Sequence, residues 1–293
     1  MEIQWELILF TTFISWSAGL FGAQALAAAF GLAKKAQFIS WIVSAVLLIV
    51  GGIAVFLHLQ HWDRIFNGFG NITSGITQEL IAIVLLVVAA VLYIIFLRRS
   101  EDGSSVQKWL AFLAVALSAL LVIVTASSYM MAARPAWNTF IWMAYVIGNA
   151  LVLGPATLAL IMALKGDDDF KKVGLWVLIG AVAALVFAIA YAVFVQMIGS
   201  SFATVGNYFD PNHPTKPMNN IDSILGGQAL LLWLGAVVVG GVGSAAAAFM
   251  GWKKGDAASW KIWGAVIIVC AIIGAIVMRV VFYNLGLSVF MFY

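Results

Sequence analysis

Charged side chains make up only 9% of this sequence, against roughly 25% in soluble globular domains. That scarcity excludes a water-soluble globular enzyme. Cysteine is nearly absent too: Cys270 is the only one, and it stands in an apolar run. Disulfides, cysteine zinc sites and iron–sulfur ligation within the chain are thereby excluded. The three histidines are His58, His61 and His213. A haem pair wants histidines on different helices at one depth, and this distribution speaks against it. The net charge of +3 is too small to argue for nucleic acid.

What the chain has instead is apolar length. Hydrophobic residues reach 64% and the mean hydropathy is +1.08. About 20 residues cross ~30 Å of hydrocarbon, so one crossing with its turn takes ~30–36 residues. The 293 residues hold about eight crossings and no large extramembrane domain. Apolar runs fall at about 7–30, 38–57, 79–97, 109–131, 140–164, 175–197, 229–250 and 262–285. None alternates with period two, which favours helices over a barrel. The first run resembles a signal peptide at Ala25-Leu26-Ala27, but Glu2 and Glu6 precede it and Lys34 and Lys35 follow it. A signal peptide carries its positive charge in front, so the run reads as a retained first helix.

The basic residues orient the bundle. Lys34, Lys35, Arg98, Arg99, Lys108, Lys165, Lys171, Lys172, Lys253, Lys254 and Lys261 all fall in one set of turns. The other side has Arg64, Arg134, Lys216 and, near a helix end, Arg279. Excess Lys and Arg marks the cytoplasmic side. The expected fold class is therefore an all-α integral membrane protein: an eight-transmembrane-helix bundle, one domain over 1–293, with both termini periplasmic.

The side chains able to do chemistry gather on the outer face. Two long connections, about 58–78 and 198–228, hold all three histidines together with Asp63, Arg64, Asp210 and Asp222. His58 ends the second span and His61 follows three residues later, a spacing that shares a helix face. Histidine titrates near neutrality, so His58 reads either as a proton acceptor for a ligand lodged between helix ends or as an interfacial polar residue. Glu79 is the one acid inside spans two to eight. Either the helix dipole favours it in a first turn, with Thr77 as N-cap, or it has a task that repays a carboxylate near hydrocarbon. Arg279 lies 18 residues beyond Lys261, about 27 Å along a helix and close to the outer edge of the core. It either snorkels into headgroups or pairs with Glu79, Asp63 or a ligand oxygen. Tyr283, one turn on, can serve the same place. Gly154-Pro155 inside the fifth span predicts a kink with a packing role. Gly166-Asp167-Asp168-Asp169 reads as a solvated cap.

Several of these words sit in a familiar order. His58-Leu59-Gln60-His61-Trp62-Asp63-Arg64-Ile65-Phe66-Asn67, followed by Ser74 and Gln78-Glu79, resembles the membrane-anchor subunits of the DMSO reductase (DmsC) type. There a His-Leu closes helix two, an Arg-x-Phe-Asn follows, and an Asn-Glu opens helix three. Arg134-Pro135-Ala136-Trp137, Gly154-Pro155 and the Arg279, Phe282, Tyr283 set are similar to further words of that family. This chain departs from it at Gln60-His61-Trp62, where the family has Gly-Ser-Pro, and in a loop one residue shorter before Glu79.

The resemblance implies a haem-free anchor in the bacterial cytoplasmic (inner) membrane, without a bound metal or covalent cofactor. It implies a four-cluster iron–sulfur subunit and, through it, a molybdopterin catalytic subunit on the periplasmic side. Menaquinol is the exchangeable substrate, oxidised near that face in anaerobic respiration. His58 and Glu79 take the roles of quinol-binding proton acceptors, His61, Arg64, Arg279 and Tyr283 support them, and Asp63, Asp210 and Asp222 dock the partner. The alternatives are an NrfD/PsrC-like quinone-interacting anchor and, from a different class, a small-solute transporter. A transporter would want charged or broken helices near the midplane.

Overall fold

The computed structural model describes residues 3–59, 61, 67, 69–100, 102–198 and 227–286. Those residues contain no strand, and eight of their helices are long and apolar enough to cross a membrane. They are α1 (Trp5–Ala29), α2 (Gln37–His58, entered through a 3-10 turn at Lys34–Ala36), α3 (Gly75–Leu97), α4 (Lys108–Ser127), α5 (Phe140–Lys165), α6 (Phe170–Met197), α7 (Gly227–Lys254) and α8 (Ala257–Asn284). Within α7, Leu231–Gly243 winds as a π-helix before Ser244–Lys254 returns to α geometry.

Helices α6 and α8 start five residues before their apolar runs, at Phe170 and Ala257. Helical hydrogen bonding does not stop where hydropathy does, so Lys171 and Lys172 ride on the first turn of α6 and Lys261 on the second turn of α8. Asp256 caps α8, accepting from the Ser259 backbone N–H at 2.8 Å and from its hydroxyl at 2.9 Å. Those bonds hold the Asp256 carboxyl below its ordinary range. Two further boundaries differ in ways that matter. Helix α3 begins at Gly75 with Ser74 at its N-cap position, so Glu79 stands in the second turn and Thr77 is not the cap. Helix α2 stops at His58, so His61 lies in a turn beyond it and the shared-face spacing does not apply.

Helix α5 is the axis of the bundle and the most deeply buried span, with α1, α4, α6 and α8 packed round it. Lipid tails are as apolar as leucine, so helices in a bilayer associate through close packing at small residues. The sequence supplies these where helices cross. A Cβ on Gly154 would strike the backbone of Gly19, and one on Gly180 would strike the Leu151 carbonyl. Gly240 of α7 faces Gly274 of α8 in the same manner. Helix α5 runs unbroken through Pro155, so Gly154-Pro155 serves the packing role expected of it.

Helices α2, α3 and α7 are peripheral. Helices α2 and α3 pack on α1 and α4 respectively and touch each other far less. The Trp41 indole N–H, donating to the Ala90 carbonyl at 3.0 Å, ties that pair together.

The basic turns converge at one end. The Lys35 backbone N–H donates to Asp167 Oδ2 at 2.9 Å, and its Nζ donates to the Gly166 carbonyl at 2.7 Å. Asp167 is thus a buried tie between two turns rather than only a solvated cap. Gly166 makes the turn possible, since its φ of +69° is open to glycine at little cost.

Gly154→Leu should lower the stability of the detergent-solubilised protein by about 1–3 kcal/mol or more. Gly52→Leu, at a position where a Cβ meets nothing within 4 Å, should leave it nearly unchanged. Thermal unfolding followed by size-exclusion chromatography checks the pair.

Candidate functional site

The buried stripe of α3 runs Glu79, Ala82, Leu86, Ala89, Tyr93 and Leu97, one helix face read in steps of three and four. Glu79 occupies the outermost step of that stripe, so the helical period itself turns a carboxyl group into the protein. It is 7% exposed. The Ser128 hydroxyl, just past the end of α4, donates to Glu79 Oε1 at 2.5 Å. Gly75 permits the approach: a Cβ there would lie 2.8 Å from the Ser128 side chain.

Arg279 lies at the same depth on α8. It is fully buried and does not snorkel. Its Nε donates to Thr11 Oγ1 at 2.9 Å, Nη2 to the Thr11 carbonyl at 3.3 Å and Nη1 to the Ala275 carbonyl at 3.2 Å. The Thr11 hydroxyl can accept because its own proton goes to the Leu7 carbonyl at 2.9 Å. Among the described residues no carboxylate comes within ion-pair distance of this guanidinium. The Trp142 ring lies 6.0 Å from the guanidinium carbon, and Tyr129, Tyr145 and Tyr283 are near it as well.

These residues form a layer. Thr11, Glu79, Tyr145 and Arg279 each sit four to six residues inside the end of their helix that faces away from the basic turns. At ~1.5 Å per residue that is about 6–9 Å below the helix ends. Tyr145 donates to the Gly274 carbonyl at 3.1 Å. Tyr129 and Tyr283 bridge the acid and the base. Their rings meet edge to face at 5.6 Å, and Tyr129 lies within electrostatic range of Glu79, Tyr283 and Arg279. The buried Tyr283 hydroxyl faces those of Tyr129 and Thr11, with none of them in good hydrogen-bond geometry to it. The buried Trp142 indole N–H is unpartnered as well.

The hairpin between α4 and α5 closes over this layer. Phe282 is stacked between Trp137 (4.8 Å) and Trp142 (3.6 Å). The Trp137 N–H donates to the Phe282 carbonyl at 2.6 Å, the Tyr191 hydroxyl donates to the Ala136 carbonyl at 3.0 Å, and the Arg134 guanidinium lies 4.3 Å from the centre of the Trp137 ring. The structure therefore gathers Glu79, Arg279 and Tyr283 at one end of the bundle, roofed by Arg134–Trp137. It leaves His58 exposed at the end of α2 and His61 exposed in the turn beyond, neither hydrogen-bonded to a described residue. Asp63, Arg64, Asp210, Asp222 and His213 lie outside the described residues. No three of the described His, Cys, Asp and Glu side chains group as metal ligands.

Sequence reading missed Thr11, Ser128, Tyr129, Trp142 and Tyr145. A signal existed for the last two: Trp142, Tyr145 and Asn149 recur at three and four residues along an otherwise apolar span. Thr11 gave none, because a helical threonine ordinarily bonds its own preceding turn.

Chemically, the layer offers a carboxyl group, a fixed cation and phenols within one water-poor compartment. Such a set can take a proton from a hydroxyl and hold an oxygen that gains negative charge. In comparisons with known proteins, no family model and no curated protein matches the chain.

Thr11→Val should destabilise the folded protein by about 1–3 kcal/mol, because it strands a buried guanidinium donor. Thr12→Val should cost less, since the Thr12 hydroxyl bonds only the Ile8 carbonyl, at 2.7 Å. Parallel unfolding of the two variants in mild detergent measures the difference.

Proposed function

We propose that this chain is the membrane anchor of a multi-subunit oxidoreductase of the DMSO reductase type, oxidising menaquinol near the periplasmic face of a bacterial cytoplasmic membrane. The observation that carries the reading is the Glu79–Ser128 pair buried in one layer with Arg279, Tyr129 and Tyr283. An intramembrane ionisable residue marks a functional site by default. Here an acid and a base share one depth at the helix ends remote from the basic turns.

The reaction separates two protons and two electrons. A quinol hydroxyl placed against Glu79 gives its proton to the carboxylate, and His58 takes the second at the mouth between α2 and α3. Arg279, through its neighbours Tyr129 and Tyr283, steadies the negative charge that builds on the ring oxygen as the proton leaves. The two electrons pass to an iron–sulfur subunit docked on the same face, since a chain with one cysteine cannot ligate a cluster of its own. Asp63, Asp210 and Asp222 with the long outer loops supply the docking surface. Protons released outside make this half-reaction non-pumping.

The sparse contact between α2 and α3 supports an entrance there. An anchor of the NrfD/PsrC type would instead work with polar groups deeper in the bundle, and Asn149, whose side chain donates to the Tyr145 carbonyl at 3.0 Å, is the group it would use.

Glu79→Gln combined with His58→Ala should lower quinol-dependent reduction in isolated membranes by roughly a hundredfold or more, the scale of a lost general base. The assembled complex should persist. Full activity in the double variant, or a loss confined to Asn149→Leu, would sink the assignment. A cysteine at position 61, in a Cys270→Ser background, should react with an impermeant maleimide added outside intact cells.

A further inference from the structure

The end of the bundle that carries the basic turns has a pocket of its own, remote from the polar layer. It encloses about 490 Å³, within the range of a small-molecule site. Ala28, Ala29 and Phe30 at the end of α1 form one wall, and Lys34 follows in the 3-10 turn. Asp102, in the connection after α3, and Lys108, the first residue of α4, complete it.

The walls are held in place from behind. The connection turns at Gly103, whose φ is +79°, and the Val106 N–H donates to the Gly103 carbonyl at 3.1 Å. A Cβ on Gly103 would lie 3.1 Å from the Gln37 side chain and 3.4 Å from that of Ala28. The connection therefore packs directly on α1 and α2. Gln37 is itself buried and fixed: its Nε2 donates to the Gln24 carbonyl at 3.2 Å, and its Oε1 accepts from the Tyr93 hydroxyl at 3.0 Å. A polar network spanning three helices thus backs the pocket.

Its charges do not cancel. Lys34 and Lys108 are exposed, and among the described residues neither ammonium makes a hydrogen bond or an ion pair. Neighbouring Lys35, by contrast, is tied to the Gly166 carbonyl. The Asp102 carboxylate is taken up by Ser104, accepting from its backbone N–H at 2.9 Å and from its hydroxyl. Two lysines against one aspartate leave a surplus of one positive charge, the complement of a phosphodiester. Helix α1 is 25 residues long, about 37 Å at ~1.5 Å per residue. Its last turn therefore stands outside a ~30 Å core, among the headgroups.

We propose that this pocket binds the headgroup of an anionic phospholipid, with Lys34 and Lys108 on its phosphate. Basic pockets between membrane helices take such headgroups at the cytoplasmic surface. The lining favours a lipid over a soluble phosphate. Phe30 is 58% exposed on one wall, and Trp109, beside Lys108, is 56% exposed, so apolar surface for the start of the acyl chains adjoins the two ammonium groups. A zwitterionic lipid brings an ammonium of its own to a site already in positive surplus and is held less well. The site does not depend on the quinol reading: it lies at the opposite ends of α1 and α4 from Thr11 and Ser128.

The test is native mass spectrometry of the full chain, released from mild detergent after titration with phosphatidylglycerol and phosphatidylethanolamine of identical acyl chains. Phosphatidylglycerol should be retained in preference. Lys34→Gln and Lys108→Gln should each weaken its retention about fivefold, and together about 25-fold, the worth of a lysine at a membrane surface. Lys171→Gln combined with Lys172→Gln makes the same charge change at another basic turn and should leave retention unchanged. All four side chains are exposed, so the variants keep the fold. Equal losses in the two double variants make the attraction a general one of the basic face and overturn the proposal. Retention of phosphatidylethanolamine to the same degree overturns it, as does retention of neither lipid. Inorganic phosphate in about tenfold excess should not displace the lipid; displacement makes the pocket a soluble-anion site and overturns it too.

Discussion

The bundle depends on how it keeps one guanidinium in hydrocarbon. An Arg at the centre of a membrane helix costs ~2.5–3.5 kcal/mol or more to insert, and less toward the helix end where Arg279 stands. Arg279 meets that cost with backbone and hydroxyl oxygens rather than with an anion. Two of the three bonds go to Thr11, so the first and last described helices are stitched together at the outer layer. Because no carboxylate neutralises it at ion-pair distance among the described residues, its charge remains available to whatever lies beside it. That cation, with the Arg134 guanidinium in the roof above it, gives the outer layer a positive electrostatic character.

Everything round it is arranged to exclude water while keeping hydrogen-bonding groups present. Phe282 between two indoles fills the space that solvent would otherwise take. The Trp142 N–H remains unpartnered inside that dry compartment, and the Tyr283 hydroxyl has no neighbour in good hydrogen-bond geometry. Buried donors without partners are uncommon and each asks for an explanation.

The fold was legible in the sequence because hydropathy and helix length measure the same thing, the thickness of the hydrocarbon. Eight runs became eight helices. Their ends were less legible, because charged residues such as Lys171 and Lys261 extend a helix past its apolar part. Glu79 could be found as a lone acid, and the α3 start at Gly75 then changed its meaning from dipole partner to core-facing side chain. Arg279 and Tyr283 were recoverable from position and spacing. Thr11 and Ser128 were not, because their importance comes from partners 268 and 49 residues away. The His58–His61 pairing failed because a helix periodicity was extended past the residue where the helix ends.

The Phe282 sandwich has an optical consequence. Two indoles flank one phenyl ring at 4.8 and 3.6 Å, and one of them is anchored to that residue's own carbonyl. Any shift of the last helix against the hairpin must alter the stacking of both chromophores together. Of the twelve tryptophans, these two are the ones whose emission follows the element that holds the buried cation.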